Sequence, residues 1–258
     1  MYENIKTETD EGIFRLTLNR PDSRNALDAS MLQEMEQALK EAESNPDIKV
    51  IVIQGAGGKS FAAGADIKQL YEKQPLDALV PGMQGLYNQI ENFPKVTIAA
   101  VNGFALGGGC ELAMACDIRV ATKKAKFGLP ELNLGIIPGA GGTQRLARLI
   151  GKGRAMDMIL TGRIIDGEEA ERVGLATYFV EGESDLLSQI ASISDAIVKK
   201  GPVAVQLAKM AVHKGFDVDE GTAQWIEKLS QAVVFGTEDK KEGTKAFIEK
   251  RDAVFQNK

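Results

Sequence analysis

Hydrophobic and polar positions change period along this chain. Between Gly12 and Asn19, the residues Phe14, Leu16 and Leu18 alternate with other positions and fall on one face, which predicts a strand against a core. Arg20-Pro21-Asp22 breaks it. From Asp28 onward, Met31, Leu32, Met35, Ala38, Leu39 and Ala42 recur at three and four residues, which predicts an amphipathic helix ending near Asn45-Pro46. The apolar run Lys49 to Gln54 reads as a buried strand. Strand, helix, strand in that order points to a parallel sheet with a right-handed crossover.

The pattern repeats less regularly downstream. A Gly/Ala loop runs from Gly55 to Asp66, followed by a helical stretch from Ile67 to Phe93 and a strand from Val96 to Val101. A short helix opens after Gly107-Gly108-Gly109, and strand-like pieces at Ile118 to Ala121 and Ala125 to Gly128 lead into a loop and a helix from Gly142 to Ile150. Beyond Gly151 the chain reads as helical, apart from a strand at Leu175 to Val180. The expected division is an α/β core over residues 1–195 and a helical region over 196–258.

Scarce residues exclude much chemistry. The 258 residues contain one histidine, His213, so a histidine-rich zinc site cannot be built. His213 sits in the helical pattern VQLAKMAVHKGF, where a positive group near a helix C-terminus is the plain reading. Cys110 and Cys116, six apart, fit neither a CxxC site nor a disulfide framework and read as small buried apolar residues. The formal charge of −5 supplies no electrostatic footprint for nucleic acid or anionic lipid. No basic-plus-apolar leader opens the chain, and the apolar stretch from Val96 to Cys110 is too short and glycine-rich for a membrane span, so a cytoplasmic location is expected.

The abundant residue is glycine. Nine of the 27 glycines lie between residues 103 and 142, about twofold above their average along the chain. A phosphate cradle fails on spacing: Gly55 to Ser60 lacks the first glycine of a Walker A sequence, and neither Gly107-Gly109 nor Gly139-Gly141 completes GxGxxG. No GxSxG elbow occurs. The remaining use is to present backbone N–H groups: Gly107-Gly108-Gly109 precedes the apolar helical run Cys110 to Cys116, where unpaired amides and the positive end of the helix dipole would stabilise negative charge. Two glutamates lie among these glycines, Glu111 in the first turn of that helix and Glu131 in a Pro-Glu loop. Carboxylates enclosed by apolar sequence serve as helix caps or as acids and bases of raised pKa, and without a usable histidine the two form a candidate pair for proton transfer around a water.

At these residues the sequence closely resembles the crotonase (enoyl-CoA hydratase/isomerase) family, and within it the enoyl-CoA hydratases. The shared blocks are LNRP to NAL (Leu18 to Leu27), SFAAGADIK (Ser60 to Lys68), AAVNGFALGGGCELAMACD (Ala99 to Asp117), FGLPELNLGIIPGAGGTQRL (Phe127 to Leu146), LTGRIIDGEEAERVGL (Leu160 to Leu175) and EGTKAFIEKR (Glu242 to Arg251). The resemblance implies a crotonase (ClpP-like) fold of repeated ββα units with a helical C-terminal trimerisation region, assembled as a homotrimer or a dimer of trimers. It implies an acyl-CoA thioester as substrate, coenzyme A being part of the substrate, with no metal or other cofactor. The activity it implies is reversible syn addition of water to a trans-2-enoyl-CoA, giving a 3-hydroxyacyl-CoA, in fatty acid metabolism.

By the same resemblance, Glu111 and Glu131 are the catalytic pair, and the N–H groups of Ala65 and Gly108 form the oxyanion hole. Gly139 matches the glycine whose amide helps hold the nucleophilic water, and Ala63, Ala65, Asp66, Ile67 and Lys68 correspond to part of the coenzyme A surface. Leu129, two before Glu131, stands where some relatives carry a polar side chain. The alternatives are a Δ3,Δ2-enoyl-CoA isomerase or another acyl-CoA lyase of the same family; Glu111 argues against the isomerase, because that chemistry needs one base. Some relatives bind RNA through a lysine-rich first helix, whereas here Asp28 to Asp47 holds six acidic residues against Lys40 alone, which would repel phosphate.

Overall fold

The structure is a computed structural model that describes residues Tyr2–Asn257. The first strands, β1 (Ile5–Asp10) and β2 (Ile13–Leu18), form an antiparallel hairpin and lead into α1 (Ala29–Ser44). Next come β3 (Val50–Gly55), β4 (Ser60–Ala62), α2 (Ile67–Glu72) and α3 (Gly82–Glu91). A third pair, β5 (Val96–Val101) and β6 (Phe104–Leu106), enters α4 (Gly108–Ala115), and a fourth, β7 (Ile118–Thr122) and β8 (Lys126–Gly128), precedes α5 (Gly142–Ile150) and α6 (Lys152–Thr161). The remainder is β9 (Ile165–Asp166), α7 (Gly167–Val173), β10 (Tyr178–Val180), α8 (Glu183–Val198), α9 (Pro202–Gly215), α10 (Glu220–Phe235) and α11 (Glu238–Glu249).

The strand pairs divide between two sheets. One has the order β1-β2-β3-β5-β7-β10, the other β4-β6-β8-β9. From the second pair onward each repeat puts its first strand in the larger sheet and its second in the smaller, the ββα plan expected of this sequence. β2 pairs parallel with β3, β5 with β7, β4 with β6 and β6 with β8. Leu16, Leu18, Ile51 and Ile53 pack with Met31, Met35 and Leu39 of α1 in one apolar core. Burial of each such side chain stabilises the fold by about 1.5–3 kcal/mol. α1 starts where expected because the Asp28 carboxylate accepts the Met31 N–H at 2.8 Å.

Three expectations are corrected. The stretch Ile67 to Phe93 is not one helix: Pro75 and Pro81 interrupt it, leaving α2, a 3-10 turn over Pro75–Leu79, and α3. The strand expected from Leu175 begins only at Tyr178, because the N–H groups of Leu175 and Ala176 both turn back to the Ala170 carbonyl and close α7. The loop from Gly55 to Asp66 holds the fully buried three-residue strand β4.

The described residues fall into two compact units, one running to Phe93 and from Thr97 to Ala191, the other taking Pro94–Val96 and the residues from Ser192 onward. The division expected after residue 195 falls inside α8. Among the described residues no helix is long and apolar enough to cross a membrane.

Candidate active site

β6 and β8 lie side by side with Leu106 opposite Gly128, and each delivers a functional segment at its C-terminal end. β6 turns through Gly107 into α4; β8 passes through Leu129 into a 3-10 turn, Pro130–Leu134, that carries Glu131. The Gly107 N–H donates to the Gly128 carbonyl at 2.9 Å, which ties the two exits together. Gly107 has φ 53° and ψ −126°, a conformation open to glycine, and a methyl group there would lie 3.1 Å from Glu131 Oε1. At Gly109 a methyl group would run into the Ala62 carbonyl, so the start of α4 sits directly on β4.

The segment after β4 brings a second amide to the same place. Leu27 bridges Ala65 in parallel: its N–H donates to the Gly64 carbonyl at 2.8 Å and its carbonyl accepts the Asp66 N–H at 3.1 Å. In a parallel bridge those bonds belong to the residues flanking Ala65, so the Ala65 N–H itself faces the other way. Gly108 lies there: a methyl group on it would be 3.6 Å from the Ala65 nitrogen and 3.0 Å from Met83 Sδ. Gly108 opens α4, and the amides of a helix's first turn have no partner within the helix. Its carbonyl is held by the buried Tyr87 hydroxyl, which donates at 2.8 Å.

Glu111 is buried, 2% exposed, one turn into α4. Its Oε1 accepts the N–H groups of Ala140 and Gly142, both at 2.8 Å. Burial raises its pKa above the ordinary carboxylate value, and the two amides and the Arg145 charge offset part of the rise. Glu131 is half-buried with a different environment. Its Oε2 is buried with no hydrogen-bond partner, and burial, assisted by the negative charge of Glu111, pushes its pKa up to about 7. Two carboxyls of raised proton affinity thus lie by a place where two backbone donors from separate segments converge, an arrangement able to hold a negative oxygen while protons move to and from a water and a carbon.

Ala65, Gly108, Glu111 and Glu131 therefore come together around the Gly107 turn. Gly139 is exposed and adjoins Ala140, one of the two amide donors to Glu111. Of the coenzyme A residues, Ala63 is half-buried with its N–H on the Arg24 carbonyl, and Ile67 and Lys68 are exposed on α2. The Asp66 carboxylate is committed locally: it accepts the Lys68 and Gln69 N–H groups and stands 3.6 Å from Arg20. Leu129 is fully buried, and a methyl group on Gly142 would lie 3.0 Å from its Cδ1, so this position gives Glu111 an apolar wall. His213 falls in the last turn of α9, and Cys110 and Cys116 are buried thiols.

Sequence reasoning assigned no supporting role to three residues that have one. Asn25, fully buried, accepts the Arg20 N–H and donates to the Ala56 and Ser60 carbonyls, which braces the loop under Ala65. Tyr87 and Arg145 are the others. Arg145 had a signal: it is a charge on the buried face of α5, alongside Gly142, Leu146 and Ile150.

A family model described as enoyl-CoA hydratase/isomerase matches residues 8–258. A crotonyl-CoA hydratase of Syntrophomonas wolfei is 45% identical over 100% of this chain and 99% of its own. A short-chain-enoyl-CoA hydratase of Clostridium acetobutylicum is 44% identical over 96% of this chain and 95% of its own. The crystal structure of an enoyl-CoA hydratase from Bacillus anthracis superposes with a TM-score of 0.95 at 39% identity, covering 99% of this chain and 100% of that one.

Proposed function

The chain belongs to the enoyl-CoA hydratase/isomerase family and is a hydro-lyase acting on enoyl-CoA thioesters, and on that premise we propose that Glu111 and Glu131 perform the hydration together at the Gly107 turn. The observation that carries this reading is the pairing of a carboxylate fixed by two amides with a buried carboxyl oxygen that has no protein partner.

The thioester oxygen is received by the N–H groups of Ala65 and Gly108, with the N-terminus of α4 adding its dipole. Glu111 orients a water and takes its proton as the water oxygen bonds to the β-carbon; the electron pair of the double bond moves toward the thioester oxygen, where the two amides hold it. Glu131, kept protonated near neutral pH by its burial, then gives its proton to the α-carbon. Since the pair shares these protons, the macroscopic titration belongs to both. Gly139 is assigned to the water and Ala63, Asp66, Ile67 and Lys68 to coenzyme A. An isomerase needs one base and has no use for an amide cradle around a second carboxylate.

The same reading takes the protein to be cytoplasmic, to need no metal or nucleotide, and to bind no nucleic acid. It takes the assembly to be a trimer or a dimer of trimers, supported by the exposed apolar stripe Trp225, Leu229 and Val233 at successive turns of α10. The test is a spectrophotometric hydration assay on crotonyl-CoA and longer 2-enoyl-CoA thioesters with chelator present. Loss of the conjugated enoyl absorbance is expected; an inactive folded protein would overturn the proposal.

A further inference from the structure

The amide cradle of Glu111 is itself held by a single side chain. Arg145, 7% exposed, lies one turn into α5 and spreads its guanidinium over three partners. Nη1 donates to the Ala140 carbonyl at 2.8 Å, so the residue whose N–H binds Glu111 is gripped from its other side. Nε and Nη2 make a bidentate pair with Glu91 at 3.0 and 2.6 Å, and Nη2 also donates to Asn88 Oδ1 at 2.7 Å. Asn88 and Glu91 belong to α3, the helix whose Tyr87 donates to the Gly108 carbonyl.

We propose that Arg145, locked by Glu91 and Asn88, is a positioning residue for hydration: it fixes the Ala140–Gly142 amides that aim Glu111 and couples them through α3 to the oxyanion side of the site. Only an arginine fork reaches a carboxylate in two places and a carbonyl in a third at the same time. Ala140 lies outside regular structure and Gly141 is the N-cap of α5, its carbonyl accepting the Arg145 N–H at 2.9 Å, and a methyl group at Gly141 would collide with the Arg145 guanidinium, so the helix entry and this side chain are packed as one piece. The charge has a second consequence. Arg145 is the cation acting on Glu111, against the negative groups that face it, Glu131 on its turn and, when ionised, Tyr87 on α3 and Cys110 on α4. Arg145 therefore holds Glu111 ionised at lower pH than its burial alone would allow.

This inference rests on the hydratase reading, and two variants separate it from that reading. Arg145→Lys keeps the charge and loses the fork; Arg145→Gln loses both. In the crotonyl-CoA assay, Arg145→Lys is expected to lower kcat by about 10²-fold, as a displaced catalytic group does, with KM little changed and the acid limb of the pH profile in place. Arg145→Gln is expected to show the same loss and to move the acid limb of kcat/KM to higher pH, because Glu111 then keeps its proton longer. Glu91→Gln, which alters the lock from the partly exposed side, is the milder variant should the other two fail to fold; it is expected to lower kcat with the melting temperature retained. A folded Arg145→Gln with kcat within twofold of the parent and an unmoved acid limb, or, where neither Arg145 variant folds, Glu91→Gln with unchanged kcat, would overturn the proposal. Inactive parent protein would defeat the hydratase reading instead.

Discussion

Glu111 and Glu131 arrive at the same turn from opposite structural circumstances. Glu111 stands on a buried helix, and its Oε1 accepts two N–H groups at the entry to α5, where Arg145 holds the Ala140 carbonyl, so its position is fixed from two elements. Glu131 stands on a five-residue 3-10 turn, half-buried, with one oxygen sealed from solvent and unbonded. Both carboxyls are desolvated, but two amides and the Arg145 charge compensate the first and aim it, whereas the buried oxygen of the second has no such compensation and its pKa rises to about 7. Geometry and proton affinity are thus divided between two residues that share one field, which is how two identical side chains acquire different tasks.

The largest expected effects test that division directly. Glu111→Gln and Glu131→Gln should each lower kcat for crotonyl-CoA hydration by about 10³-fold, the usual scale for losing a positioned acid or base. They should differ in a partial reaction: exchange of the α-protons of a saturated acyl-CoA with solvent deuterium should survive Glu111→Gln and vanish in Glu131→Gln. Equal loss of exchange in both variants would break the comparison.

A smaller effect is expected at Gly107, where an added methyl would press on Glu131 Oε1 and the backbone conformation disfavours it. Gly107→Ala should cost about 10²-fold in kcat through misplacement of the turn and lower the melting temperature; a kcat loss no larger than tenfold would show that Glu131 is not held from this side. The smallest effect is on stability. The folded chain keeps a proton on Glu131 up to about pH 7, whereas the unfolded chain releases it near the ordinary carboxylate value, so between those limits the folded state binds more protons. The stability associated with the protonated group is full below that ordinary value and is lost as pH rises toward 7. Glu131→Gln, which has no charge to desolvate, should gain in melting temperature relative to the parent across that range. A difference that stays flat from acid to mildly basic pH would remove the claim that burial raises the proton affinity of Glu131.

Much of this site was legible in the residues, and the reasons are physical. α1 announced itself through its period, and the glycine clusters with Glu111 and Glu131 marked where backbone would be exposed as chemistry. β1 was not legible, because five of its six residues are exposed and an edge strand of that kind carries no alternation. β4 and β6, three residues each, are too short for a period to show and lie in glycine-rich sequence. The break between α2 and α3 was present in Pro75 and Pro81 and was overridden by the helical spacing around them. Tyr87, Asn25 and Arg145 act through contacts 21, 35 and 54 residues away, which no local pattern encodes.

The bond between the Gly107 N–H and the Gly128 carbonyl has a further meaning for the enzyme as a working population. Both carboxylates hang from neighbouring strands of one ladder, so any opening that parts β6 from β8 takes acid and base out of reach of each other in a single event. The integrity of that one ladder is therefore a condition of activity separate from the chemistry of either carboxyl.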